Sequence, residues 1–351
     1  MTNKQFSGFI RYGPIYNSTQ RELNELVLTE ILTLSDQIEF PLGVYGISKP
    51  LINIITYPYD KTELQVLIEN GTFIERFDYK KNKPSVLHLQ LNIDVPTEVP
   101  VKIENILKES LGIDDIYGTL SHIDVNTFML QDFFEKCIYD FVLAINLANP
   151  GSLPIKYGFI SVDEQKVKDL KVMPNDVLFA AKQMATKITW PLIQNLDIRK
   201  TWEWLLTHKD FVGGSSQSPT ERGINSFGNL FTTEYSVSLF WAIVGIEAFY
   251  TKGHGDLQNQ VREKSELVLG TQDSFKKAFN SMYNFRSRFV HGDLNYPGTM
   301  ATVESISDTE GYYTELYNST HFATAILTST IQYLIAKNWS GFNFTYSVSN
   351  F

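Results

Sequence analysis

Arg286 and His291 are the residues of this chain whose types and spacing best suit chemistry, and they stand in the run Tyr283-Asn284-Phe285-Arg286-Ser287-Arg288-Phe289-Val290-His291-Gly292. The arginine precedes the histidine by five residues, at the apparent end of a long helix. RNA carries its own nucleophile, the 2′-hydroxyl. Its cleavage then needs a group that moves protons near neutral pH, which an imidazole does. It also needs a cation that grips phosphate oxygens bidentately and supports the extra negative charge at phosphorus, which a guanidinium does. No metal is required. The products of such a reaction are a 2′,3′-cyclic phosphate and a 5′-hydroxyl, and DNA is not cut by this route.

The elements that must position these groups follow from periodicity. At about 100° per residue, Phe275, Ala278, Phe279, Met282, Phe285, Phe289 and Val290 form one apolar stripe. Asn280, Asn284, Lys277 and Arg288 fall on the other side, so Arg288 reads as a surface arginine. Arg286 instead projects near the middle of the stripe. A guanidinium keeps its charge, so burying it requires a partner or a wet cleft. Gly292 reads as a helix stop. On one ideal helix Arg286 and His291 point roughly 140° apart. Either the helix ends near Val290, or a second chain completes the site.

A partner for Arg286 stands upstream. Residues 235–250 are apolar nearly all round, and Glu247 is their only charge. Such a segment is a buried core helix; it is shorter than the ~20 apolar residues of a membrane span. A lone carboxylate there is protonated or paired, and Arg286 is the expected partner. Residue chemistry leaves two readings open for that pair: part of a site, or a core ion pair that fixes packing.

The run from Leu239 to Gly292 resembles a HEPN domain of the ApeA-like type. The matching pieces are an apolar helix ending Gly245-Ile246-Glu247-Ala248-Phe249, a glycine-rich turn Lys252-Gly253-His254-Gly255-Asp256, a helix from Leu257 to Gly270, and the Arg286–His291 run itself. The match spans about residues 230–340. Many catalytic members carry Asn, Asp or His directly after the arginine; this chain has Ser287, as ApeA-like members often do. The resemblance implies an antiparallel helical bundle that dimerises through the C-terminal helical domain. In it, two protomers bring their Arg/His pairs into one cleft. It further implies a metal-independent endoribonuclease of antiphage defence or of a toxin system, with single-stranded or tRNA-like RNA as substrate, a phage-derived or antitoxin trigger, and no cofactor. Arg286 and His291 are then the catalytic candidates, Glu247 a positioning residue and Ser287 a fourth site residue. Some members of the family have lost activity and act as scaffolds or binding modules. In that rival reading Arg286, Glu247 and His291 hold a dimer interface.

Composition bounds the rest. The chain has 351 residues, enough for two domains, with 43% hydrophobic and 20% charged residues, an ordinary globular balance. Cys137, the single cysteine, lies in an apolar run and reads as a core residue; it excludes an intramolecular disulfide and fits a reducing compartment. The first residues hold no apolar signal core, so a cytoplasmic location is expected, with no membrane partner. A net charge of −9 argues against nucleic-acid binding over the whole surface but not against a local basic groove. Arg262, Lys264, Lys276, Lys277, Arg286 and Arg288 gather in the helical half, where a solvated face is the default for all but Arg286.

The expected fold class is α+β: a β-rich mixed domain over residues 1–170, of sensor or regulatory kind, followed by an all-α bundle over residues 171–351. Strands are expected at 9–12, 43–48, 52–57, 64–69, 72–77, 86–93 and 155–162, with Asn70-Gly71 as a hairpin turn. Helices are expected over 20–35, 101–111 and 127–148, then 176–189, 200–206, 222–231 with Thr220 as its cap, and 314–337. None of the six histidines, His88, His122, His208, His254, His291 and His321, has metal-ligand spacing. Gly213-Gly214-Ser215-Ser216 lacks the Gly-Lys-Ser/Thr of a phosphate loop, and Asp114-Asp115 reads as a solvated cap or turn. Tyr283 suits base stacking or, more readily, a core or interface position.

Overall fold

The computed structural model describes residues 2–12, 18–41, 51–58, 85–95, 104–105, 108–109, 112, 125–207, 215–232, 234–253, 255–271, 275–296 and 306–345. They form an α+β protein whose contacts divide into two compact units, residues 1–142 with 153–173, and residues 143–152 with 174–351.

The first unit is built on an antiparallel sheet of β1 (Thr2–Tyr12), β2 (Asn53–Pro58), β3 (Ser85–Val95), β4 (Tyr157–Val162) and β5 (Gln165–Asp169), in the order β2-β3-β1-β4-β5. Helix α1 (Ser18–Thr33) follows β1, and α2 (Val125–Ala148) begins in this unit. Alternation places Phe6, Ile10, Leu87, Leu89 and Leu91 in the core, each fully buried. Phe6 meets Phe134 of α2 with ring centroids 6.0 Å apart. Gly8 is required for that packing, because a Cβ there would fall 2.4 Å from Ile138 Cδ1. Cys137 is buried beside them, and burial pushes its thiol pKa up, as befits an inert core residue.

Sequence periodicity finds β2, β3, β4, α1 and α2 within a few residues of their observed ends. It misses β5, whose Gln165-Lys166-Val167-Lys168-Asp169 has no buried residue and so no apolar period. The β4–β5 turn uses Asp163 and Glu164 at φ of 46° and 67°, the left-handed geometry of a two-residue hairpin loop without its usual glycine. The strands expected at 43–48, 64–69 and 72–77, the Asn70-Gly71 turn, Asp114-Asp115, His122, His208, His254 and Gly213-Gly214 lie outside the described residues. Of the helix expected over 101–111, only Glu104, Asn105, Lys108 and Glu109 are described, and all four are helical.

Asp140 carries a pH-dependent burden in this unit. Burial raises its pKa to about 7, against the opposing pull of Lys136, whose Nζ lies 3.6 Å from Oδ2. An acid that holds its proton more tightly when folded than when unfolded favours the fold at low pH. That contribution is lost as pH rises from about 4, the unfolded value, through 7. Asp140→Asn is expected to leave urea stability at pH 4 unchanged and to raise it by about 2–4 kcal/mol at pH 8. Equal midpoint shifts at both pH values would refute this.

The second unit is helical: the end of α2, then α3 (Asp176–Ile188), α4 (Ile198–Leu206), α5 (Pro219–Gly228), α6 (Tyr235–Tyr250), α7 (Leu257–Leu269), α8 (Phe275–His291) and α9 (Ile306–Lys337). Helix α9 packs against α3, α5, α6, α7 and α8, and against α4 to a lesser extent. Three of its buried hydroxyls bond the preceding turn: Thr320, Thr328 and Thr330 each donate to the carbonyl four residues back at 2.7 Å, whereas the buried Thr324 hydroxyl finds no partner among the described residues. Gln332 Nε2 donates to the carbonyls of Leu147 and Gln194, at 2.7 and 2.9 Å. Helix α6 closes on α9 at Gly245, where a Cβ would meet Leu327 at 2.8 Å.

Two sequence expectations are corrected here. The cap of α5 is Ser218 rather than Thr220: Ser218 forms a reciprocal capping box with Glu221, Pro219 opens the helix, and the Thr220 hydroxyl instead donates to the Ser340 carbonyl at 2.6 Å. Lys264 is not part of a solvated face. It is buried, and its Nζ donates to the Tyr250 carbonyl at 2.7 Å and to Gln260 Oε1 at 3.0 Å. There it neutralises the negative end of α6, and burial is the main cause of its lowered pKa.

Candidate functional site

Two helices of the second unit position the candidate residues. Helix α6 is apolar on nearly every side, which buries Leu239, Ala242, Ile243, Ile246, Phe249 and Tyr250 and carries Glu247 into a half-buried position. Helix α8 buries Phe275, Phe279, Met282, Tyr283 and Phe285. The expected stripe therefore holds through Phe285. It fails in the last turn, where Phe289 is 37% and Val290 52% exposed. Trp190 stacks on Phe275 at 4.1 Å, and Phe279 leans on Tyr283 at 5.1 Å, so aromatic rings fix the rotation of α8 about its axis.

That rotation turns Arg286 inward. Its side chain is half-buried, on the same side of the helix as Tyr283 one turn earlier. Tyr283 Oη points to Glu247 Oε1 at 3.5 Å, a long contact for an O–H donor. Burial raises the Glu247 pKa, while the charge of Arg286 and the Tyr283 hydroxyl draw it back down. The phenol of Tyr283 is pushed well up, by burial first and by the Glu247 charge second, with Arg286 opposing. Glu247, Tyr283 and Arg286 thus form one electrostatic group. Among the described residues Arg286 and Glu247 do not touch as a direct ion pair, so the guanidinium keeps donors for another anion. Tyr283 is the member whose place here the sequence reading did not assign; the signal was its position three residues before Arg286.

Arg288 departs from expectation. It is half-buried, its guanidinium is 2.5 Å from Glu315 Oε1 of α9, and it lies over the Phe285 ring at 5.9 Å. It is a tie between α8 and α9 rather than a solvated charge.

Ser287 and His291 are exposed, on the outward side of α8. Helix α8 continues through His291. Gly292, at φ 77°, then closes it: Asp293 N donates to the Arg288 carbonyl at 2.9 Å and Gly292 N to the Phe289 carbonyl at 3.4 Å, the paired bonds of a Schellman stop. The divergence of roughly 140° between Arg286 and His291 on an ideal helix therefore persists within one chain. The structure brings Glu247 and Arg286 together and leaves Ser287 and His291 apart from them. Beside His291, Phe289 meets Tyr296 at 6.1 Å, and Tyr296 is itself 65% exposed, so an aromatic and aliphatic patch flanks the imidazole.

Among the described residues no group of three or more His, Cys, Asp or Glu side chains could hold a metal ion, and no helix is long and apolar enough to cross a membrane. His88 is buried in the first unit, stacked on Phe9 at 4.3 Å, with its pKa lowered to about 4 by burial. His321 is half-buried against Tyr235 and Tyr317. Comparison with protein-family models, with curated proteins and with solved structures finds no match to this chain.

Proposed function

We propose that this protein is a metal-independent endoribonuclease of the HEPN type, an effector of antiphage defence or of a toxin system, working as a dimer through its helical unit. The observation that carries the reading is an arginine turned inward beside an isolated carboxylate, on a helix whose outer face ends in an exposed imidazole. In this reading Glu247 and Tyr283 orient the Arg286 guanidinium without consuming it. Arg286 holds the scissile phosphate and supports the charge that builds on its oxygens. His291 moves the proton, either from the 2′-hydroxyl or to the leaving 5′-oxygen. Because the two side chains diverge on one helix, the Arg286 and His291 that address one phosphate come from different copies of the chain. The exposed Phe289, Val290 and Tyr296 beside His291 offer apolar surface for that pairing. Ser287, exposed on the side of His291, is within the same cleft.

The same patch also favours a second reading, in which this end of α8 is a non-catalytic interaction surface. Incubation of the purified protein with labelled single-stranded RNA in EDTA separates the two. The nuclease reading expects cleavage that leaves 2′,3′-cyclic phosphate ends and spares DNA. Intact RNA, both alone and with an infection-derived trigger, would leave the interaction module standing.

A further inference from the structure

We infer that the outward face of α8 is a track for the sugar–phosphate backbone of single-stranded RNA, running from Lys276 and Lys277 through Asn280 and Asn284 to Ser287 and His291. The inference rests on the nuclease reading for its destination at His291, and on the following observations for its chemistry.

At about 100° per residue these six positions fall within roughly 100° of arc, on the side of α8 opposite its buried stripe. All six are exposed. Over fifteen residue steps the row is about 22 Å long. Helix α8 holds no aspartate or glutamate but four Lys and Arg, in a chain whose net charge is −9. Arg288 is spent on Glu315, and Arg286 faces Glu247. Lys276 and Lys277 remain, and among the described residues neither forms an ion pair. They occupy the first turn of α8, the end at which the helix dipole disfavours cations. Neither an ion pair among the described residues nor the helix dipole stabilises that placement, whereas a polyanion crossing this face is attracted by it.

The face is also shaped. Lys276, Lys277, Asn280, Ser281 and Asn284 line a shallow groove of about 640 Å³. Through Lys277 and Ser281 it adjoins a cleft of about 780 Å³ that reaches Thr314 and Asn318 of α9, where the carboxylates of Glu310 and Glu315 also line it, so the anion-facing part of the row is the shallow groove. Asn280 Oδ1 accepts a hydrogen bond from Gln258 Nε2 of α7 at 3.0 Å, which leaves the Asn280 NH₂ as a donor for another partner. Two cations followed by neutral amides suit phosphates at one end and ribose 2′-hydroxyls along the row.

The test is fluorescence anisotropy with a short labelled RNA on the full chain carrying His291→Ala, so that binding is read without cutting. Adding Lys276→Ala and Lys277→Ala should weaken binding about tenfold or more at low salt. It should also flatten the slope of log K against log salt by about 1.4, two phosphates' worth for a single strand. Asn284→Ala should cost a few-fold with the slope unchanged. Both lysines are exposed, so the melting temperature should hold or rise, which reports folding. Unchanged affinity and slope in the double-lysine variant would overturn the track, as would RNA failing to bind, or poly-glutamate competing as well as RNA does. Cleavage and track fail separately. A wild-type chain that cuts RNA while the lysines prove irrelevant keeps the nuclease and loses the track. Lysine-dependent binding without cutting does the reverse.

Discussion

Replacing His291 by alanine is expected to lower RNA cleavage by about 10²–10⁴-fold, the usual contribution of a positioned proton-transfer group. The melting temperature should move by no more than about 2 °C, because a surface residue with no buried contact rarely changes stability by more than about 0.5 kcal/mol. His291 is exposed and ends its helix, and the Schellman bonds that close α8 are made by the backbone of Gly292 and Asp293 rather than by the imidazole. A large loss of stability would place His291 in a structural role. Full activity in the variant would remove it from the reaction. Steady-state cleavage and a thermal melt on the same preparation give both readings.

The Arg286 substitutions should split two functions that share one side chain. Arg286→Ala is expected to cost about 10²–10³-fold in cleavage, as loss of a charge-stabilising donor does. It should also cost about 1–3 kcal/mol in stability, because Glu247 is left half-buried without its cation. The stability loss has a sign in pH. Burial already raises the Glu247 pKa, and removing Arg286 removes the main force that lowers it. The folded variant would then hold a proton that the unfolded chain releases, so its deficit should be small near pH 4 and grow as pH rises towards 8. Adding Glu247→Gln should recover the stability but not the cleavage. Arg286→Lys keeps a cation beside Glu247 yet loses the planar two-donor grip on phosphate; it should melt near the wild type and cut poorly. If Arg286→Lys cuts as well as the wild type, the bidentate grip is not part of the reaction. If every Arg286 variant follows stability alone, Arg286 and Glu247 are a packing pair.

The parts of the fold that were legible from sequence are those with a single dominant period. Alternation marks β3, and the all-round apolar character of α6 marks a core helix, because burial on one face or on all faces leaves a direct trace in residue type. Strand β5 leaves none, since its residues are held by ladder hydrogen bonds to β4 and not by apolar burial. The same logic governs α8. Its stripe predicts the inward turn of Arg286, and Gly292 predicts the stop. The exposure of Phe289 and Val290 depends on what the fold packs against the last turn, which no local pattern records. Lys264 and Arg288 show the other blind spot. A long cationic side chain reads as solvent-facing unless its partner is known, and their partners, the Tyr250 carbonyl and Glu315, lie 14 and 27 residues away in sequence. For the candidate site, the nearness of Glu247 to Arg286 follows from the only charge of α6 and a cation on the apolar stripe of α8, whereas the membership of Tyr283 does not. The relation of Arg286 to His291 does not, because an ideal helix separates them, and in the proposed dimer it is a second copy that joins them.

That relation is the centre of the account, and complementation between chains tests it directly. Differently tagged Arg286→Ala and His291→Ala chains, co-expressed and purified through both tags, should cut RNA in EDTA well above either variant alone, because the mixed dimer still pairs an intact Arg286 from one chain with an intact His291 from the other. A mixed dimer no more active than its parents, beside a wild-type dimer that cuts, would contradict a cleft shared in this way.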